Sequence, residues 1–167
     1  RGVGKEAITL SSSTTPLEWI SWYGSVTFNM YGRELPQTGM NEEGLVVSQA
    51  WVDDAVYPEV GDSPAINELS LMQYILDSFA TVEEVVAGTS GVAIDRIYGL
   101  EHYMICDRTG DCAQLEYLDG ELLIHRGETL PHRILTNNTY QDGLTYIEDF
   151  EEFGGDHPLP TSESSLD

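Results

Sequence analysis

The dipeptide Asp119-Gly120 limits what this chain can fold into more than any other feature. Asp-Gly suits a two-residue hairpin turn, whose central positions both need positive φ. It separates two β-rich runs, Ala113–Leu118 and Glu121–Arg126, and a further turn at Arg108-Thr109-Gly110 joins the first run to His102–Asp107. Successive strands joined by such tight turns pair antiparallel, so residues 102–126 form a meander. Upstream, Ser25 to Met30 sets Val26, Phe28 and Met30 against Ser25, Thr27 and Asn29, the pattern of a half-buried strand. Two Gly and one Pro in Tyr31–Gly39 turn the backbone. Leu45–Val52 is apolar enough for a strand covered on both faces over part of its length.

Between these strand regions the period changes. Ser63 can cap a helix with Pro64 in its first position, and Ile66, Leu69, Met72, Leu76 and Phe79 then make one stripe. Thr81 and Glu84 have capping-box spacing, and Gly88 is placed to end that short helix. From Asn138 the chain reads as helical, with Tyr140, Leu144, Ile147 and Phe150 on one face. Ser11–Thr15 reads as a surface loop, residues 1–153 as one domain and 154–167 as a polar, frayed tail. The class is α+β.

Charge excludes several partners. There are 29 acidic and 7 basic side chains, a formal charge of −22, and Lys5 is the single lysine. Such a field repels phosphate backbones and anionic bilayers, so neither a nucleic acid nor a membrane is an expected partner. Such acidity also suits adaptation to salt. No apolar run approaches the ~18 residues of a membrane span, and no basic segment followed by an apolar one marks a signal peptide. Cys106 and Cys112 lack the paired His or Cys of a zinc site. Facing one another across a hairpin, they suit a disulfide in an oxidising compartment and two thiols in the cytosol. The compartment stays open, a periplasmic or secreted one being favoured over the cytoplasm. His102, His125, His132 and His157 are scattered and define no metal site; His102 reads as a satisfied core histidine. The carboxylates read mostly as a solvated face, Gly2-Val3-Gly4-Lys5 lacks the context of a phosphate loop, and no cofactor is expected.

A longer pattern carries more information. Tyr23-Gly24-Ser25-Val26-Thr27-Phe28-Asn29, Gly32-Arg33-Glu34-Leu35-Pro36 and Gly39-Met40-Asn41-Glu42-Glu43-Gly44-Leu45-Val46-Val47 are followed by Pro64-Ala65-Ile66-Asn67 and Phe79-Ala80-Thr81-Val82-Glu83-Glu84-Val85. Then come Gly127-Glu128-Thr129-Leu130-Pro131 and Leu135-Thr136-Asn137-Asn138-Thr139-Tyr140. In this order they resemble the choloylglycine hydrolase family, the bile salt hydrolases and penicillin V acylases. The resemblance implies the αββα sandwich of an N-terminal-nucleophile hydrolase. It also implies amide cleavage by an amino-terminal cysteine whose own α-amine is the base, two groups with ordinary pKa values near 8.5 and 7.7–8.0. Asn137 would donate its side-chain amide and Trp51 its backbone N–H to the tetrahedral oxyanion.

Tryptophan at that place resembles penicillin V and acyl-homoserine-lactone acylases of Gram-negative bacteria, where bile salt hydrolases typically have asparagine. Its flat apolar ring favours an aromatic or fatty acyl group over a conjugated bile acid. Met30, Tyr31 and Leu35 match one substrate-binding loop of the family, Ile94 and Tyr98 another. Read without the resemblance, Asn137 is a turn residue, Trp51 a core residue and Asn41 a structural turn residue. The resemblance also implies tetramers. It places the nucleophile, with an early Arg and Asp, before Arg1, and a further Arg after Asp167. The expectation is thus an incomplete sandwich, inactive alone, taken from the middle of an enzyme acting on an N-acylated small molecule. The alternative is a non-catalytic or truncated domain that binds an acyl ligand or a partner chain.

Overall fold

The computed structural model describes residues 2–8, 13–30, 35–148 and 150. In chain order its elements are β1 (Glu6–Ile8), β2 (Glu18–Ile20), β3 (Ser25–Asn29), β4 (Pro36–Asn41), β5 (Val46–Trp51), β6 (Ala65–Ile66), α1 (Glu68–Ser78), α2 (Val82–Thr89), β7 (Ala93–Ile94), β8 (Glu101–Cys106), β9 (Cys112–Leu118), β10 (Glu121–Arg126) and α3 (Tyr140–Ile147). One antiparallel sheet runs in the order β10-β9-β8-β5-β4-β3, while β1 pairs with β2 and β6 runs parallel to β7. The meander is present as expected. Asp119 and Gly120 both have positive φ, 53° and 79°, and the turn sets the register from Leu118↔Glu121 to Ala113↔Arg126.

Register decides which side chains share a face, because they alternate along each strand. On one face Val47, Tyr103, Ile105, Ala113, Leu115 and Tyr117 join Leu71, Met72, Ile75 and Leu76 of α1 and Val82 and Val85 of α2 in the main core. Each large apolar side chain so buried contributes on the order of 1.5–3 kcal/mol. The helix starts later than Ser63-Pro64 implied. Asn67 caps it, accepting the Ser70 N–H at 2.8 Å. The stretch before it is held extended as β6, with Ala65 N–H donated to Thr15 O and Ala93 N–H to Pro64 O. Main-chain pairing overrode a valid local start signal.

Two glycines have roles other than turning or stopping the chain. Pro36–Gly39, expected within a turn, belongs to β4, and a Cβ on Gly39 would lie 2.8 Å from both Leu76 Cδ1 and Thr27 Cγ2. Its bareness lets α1 approach the sheet. Gly88 lies inside α2, where a Cβ would collide with the Phe79 ring. Asn41 is structural, as expected: its amide donates to Leu76 O and Phe79 O, and its Oδ1 accepts from Glu43 and Leu45 N–H.

The opposite face is covered unevenly. Over β8 to β10 it is packed by residues from the segment ending in α3: Leu130, Ile134, Tyr140 and Leu144 meet Met104, Cys106 and Cys112. Over β3 to β5 it leaves Val26, Phe28, Met40 and Val46 exposed. β3 alternates as expected, but its polar side is the inner one: Ser25 is 9% exposed, whereas Val26 and Phe28 are 71% and 70% exposed. Small side chains suit the side approached by α1, and Gln73 Nε2 donates to Ser25 Oγ at 3.3 Å. Cys106 and Cys112 are cross-strand partners with Cα atoms 4.1 Å apart, and they form a disulfide. The expected frayed tail, 154–167, lies outside the described residues.

Candidate functional site

β5 ends at Trp51, opposite Glu101 at the start of β8. Hydrogen-bonded and non-bonded pairs alternate along an antiparallel ladder. Val52 N–H donates to Leu100 O at 2.7 Å, so Val52↔Leu100 and Ala50↔His102 are the bonded pairs. Trp51 therefore directs its own N–H away from β8, towards the β4 side. The described register with β4 stops at Thr38↔Ser48, short of Trp51, and Gln37 Nε2 caps the Gln49 carbonyl at 2.8 Å. The result is a strand-end N–H aimed out of the ladder. The indole donates to Asp53 Oδ1 at 2.6 Å and meets Tyr98 edge-on, with ring centroids 6.0 Å apart.

Tyr98 is positioned by a buried carboxylate. Glu68, wholly buried at the start of α1, accepts the N–H groups of Ile97, Tyr98 and Gly99. Glu101 lies close to it and differs: its Oε2 is buried without a hydrogen-bond partner among the described residues. Burial, with the Glu68 charge adding and His102 opposing, pushes the Glu101 carboxyl up to about 6.

Asn137 is exposed, and its neighbours fasten it to the same end of β8. His102 Nε2 donates to Thr136 O at 2.7 Å. The His102 Nδ1 lies 3.0 Å from Glu116 Oε1, and that oxygen also accepts the Tyr140 N–H at 2.8 Å. Thr139 caps α3 through the Asp142 N–H. The Asn137 turn is thus bracketed on both sides from one buried His–Glu pair. His102 is also the cross-strand partner of Ala50, the residue before Trp51, so the turn that carries Asn137 is bonded to the strand position beside the end of β5.

The family model described as linear amide C–N hydrolases, choloylglycine hydrolase family, matches residues 9–163. The chain belongs to this family. A penicillin V acylase from Pectobacterium atrosepticum is 30% identical over 90% of this chain and 44% of its own length. The solved penicillin V acylase from Agrobacterium tumefaciens superposes with a TM-score of 0.76 at 31% identity, over 89% of this chain and 47% of that one. A variant of the conjugated bile acid hydrolase from Clostridium perfringens has a TM-score of 0.71 at 20% identity, over 88% of this chain and 47% of its own, a likeness of fold alone. The chain therefore spans about half the length of these relatives, and its fold is that of the N-terminal-nucleophile penicillin V acylases and bile acid hydrolases.

The remaining residues expected to line a pocket in this choloylglycine hydrolase family chain separate into groups. Met30 N–H donates to Leu35 O at 3.4 Å, closing the β3–β4 connection, with Met30 exposed and Leu35 half-buried. Tyr31 lies outside the described residues. Tyr98, 57% exposed, joins Trp51. Ile94 does not join them: it pairs with Ile66 and packs in the core at 2% exposure. Among the described residues no group of three or more His, Cys, Asp or Glu side chains could hold a metal ion, and no helix is long and apolar enough to cross a membrane. Sequence reasoning missed Glu116 and Glu68, which are buried although carboxylates read as solvated. One signal for the first exists in β9, where Gln114 and Glu116 alternate with Leu115 and Tyr117 in a strand covered on both faces.

Proposed function

We propose that the protein hydrolyses the linear amide of an N-acylated small molecule, of the penicillin V or acyl-homoserine-lactone type in preference to a conjugated bile acid. What supports this reading is that the turn carrying Asn137 is bonded through Thr136 to His102, the strand partner of the residue before Trp51, whose own N–H points out of the ladder. The Trp51 N–H and the Asn137 amide would hold the carbonyl oxygen as it becomes an oxyanion. Donors fixed in advance, away from competing water, favour the transition state over the ground state. The ring pair Trp51–Tyr98, with Met30 and Leu35 at the neighbouring strand ends, supplies apolar surface for an aromatic or fatty acyl group. The attacking thiol is assigned to a cysteine outside these 167 residues, since Cys106 and Cys112 are bonded to each other.

The same disulfide favours a second reading, a domain that binds an acyl ligand or a partner chain without cleaving it, because the two bonded cysteines leave no free thiol among these residues. Amidase assays separate the two readings, using the polypeptide as its gene encodes it, with penicillin V and an N-acyl homoserine lactone. Cleavage of either is expected, with Asn137→Ala lowering kcat about 100-fold or more through loss of one oxyanion donor. Full activity in that variant would remove Asn137 from the mechanism. Binding without cleavage supports the second reading.

A further inference from the structure

We propose that His102 is a positioning residue for Asn137, acting through the Thr136 carbonyl with Glu116 as its orienting partner; this rests on the reading of Asn137 as an oxyanion donor. His102 and Glu116 are buried to 0% and 1% exposure. A buried pair of this kind is a poor way to gain stability, because desolvation offsets most of the attraction and apolar residues of similar volume often serve as well. What apolar residues cannot do is hold backbone polar groups of a segment that lies across the sheet. The pair does this twice. Thr136 O can only accept, so His102 Nε2 carries the proton shared at 2.7 Å, and Glu116 Oε1 takes the Tyr140 N–H at 2.8 Å. These two bonds flank Asn137.

Glu116 is itself fully engaged. Besides His102 and Tyr140 it accepts from His125 Nε2 at 3.0 Å and from Gln114 Nε2 at 3.2 Å. His125 in turn lies against the Tyr140 ring, centroids 4.6 Å apart. Strands β8, β9 and β10 thus all contribute to one brace on the 136–140 turn. An oxyanion donor must sit within a few tenths of an ångström of its mark, and a misplacement of ~1 Å costs about 100-fold in rate. An exposed turn held by its own bonds alone would not keep that tolerance.

The test uses the polypeptide as its gene encodes it, with penicillin V as the probe amide. His102→Asn removes the donor to Thr136 and is expected to lower kcat ~10- to 100-fold with KM within about 3-fold. His102→Gln, which returns an N–H near the Nε2 position, should recover most of that loss. In an Asn137→Ala background, His102→Asn should cost little more, because both changes remove one donor. An equal fold-loss in both backgrounds, or no loss of kcat in His102→Asn, overturns the proposal. If only an N-acyl homoserine lactone is cleaved, the same kinetics are read with it; if Asn137→Ala is fully active, or neither amide is cleaved, the functional reading fails, and the brace is judged from hydrogen exchange instead. Faster exchange over residues 136–140 in His102→Asn and in Glu116→Gln, with β8 and β9 still protected, supports it; unchanged exchange in both refutes it.

Discussion

Glu116 and Glu101 lie at neighbouring strand positions, yet pH acts on them in opposite directions. Burial alone would raise the Glu116 carboxyl, but hydrogen bonds from His102, His125 and the Tyr140 N–H outweigh it and hold the group at about 2. Its ionised form is therefore favoured by folding. That contribution is complete above the ordinary glutamate value of 4.5 and is lost as pH falls through about 2. Glu101 is raised to about 6, so its contribution is complete below 4.5 and is lost as pH rises through about 6. In urea unfolding, the difference between wild type and Glu116→Gln should shrink between pH 4.5 and 2. Glu101→Gln should instead gain on wild type between pH 4.5 and 6. A parallel shift of all curves would place the pH dependence on other carboxyls. Gly88 gives a test of packing against propensity. Alanine in a helix interior is favoured over glycine by about 1 kcal/mol, but here the new Cβ would meet the Phe79 ring. Gly88→Ala should destabilise the wild type by ~1–3 kcal/mol and stabilise a Phe79→Ala background, both read from urea midpoints.

Among the elements, those set by local chemistry were legible in advance and those set by partners were not. The Asp119-Gly120 hairpin and the Thr81 cap of α2 use residues whose backbone or side-chain preferences act within a few positions, and both stand where the sequence puts them. The start of α1 and the course of Pro36–Gly39 were misread because a distant strand or helix decides them: β7 for the first, α1 for the second. The inversion of β3 has a similar origin. Alternation shows that two faces exist, but which one is buried depends on what packs there. The candidate site divides in the same way. Asn137 and Trp51 are candidates through resemblance alone, whereas the His102–Glu116 pair joins strands across 14 positions and needs the register to be seen. The β8–β9 pair adds a prediction at this scale. Cys106 and Cys112 should give no reaction with a thiol reagent in denaturant until a reductant is added. Closing so short a loop stabilises by only about 2 kcal/mol in the chain-entropy account, so reduction should lower the urea midpoint without unfolding the protein. Two reactive thiols before reduction would contradict the pairing.

At the scale of the whole molecule, charge dominates. With 7 cations against 29 carboxylates, attractive pairs are few compared with repulsions. Arg126–Asp111 and Arg108–Glu43 are both solvent-exposed to some degree, and such pairs contribute ~0–1 kcal/mol each. Screening therefore removes little attraction while it weakens the mutual repulsion of a −22 chain. The Debye length falls from about 30 Å at 0.01 M to about 3 Å at 1 M salt, below the spacing of most surface carboxylates. Sodium chloride should accordingly raise the melting temperature, with most of the rise complete by a few tenths molar. A screening effect depends on ionic strength and not on the anion, so chloride and perchlorate should act alike over the first ~0.2 M and diverge only above it. A melting temperature that is flat or falls with chloride would mean that the buried carboxylates and their partners, Glu68, Asp77 and Glu116 among them, outweigh the surface in setting how this molecule responds to salt.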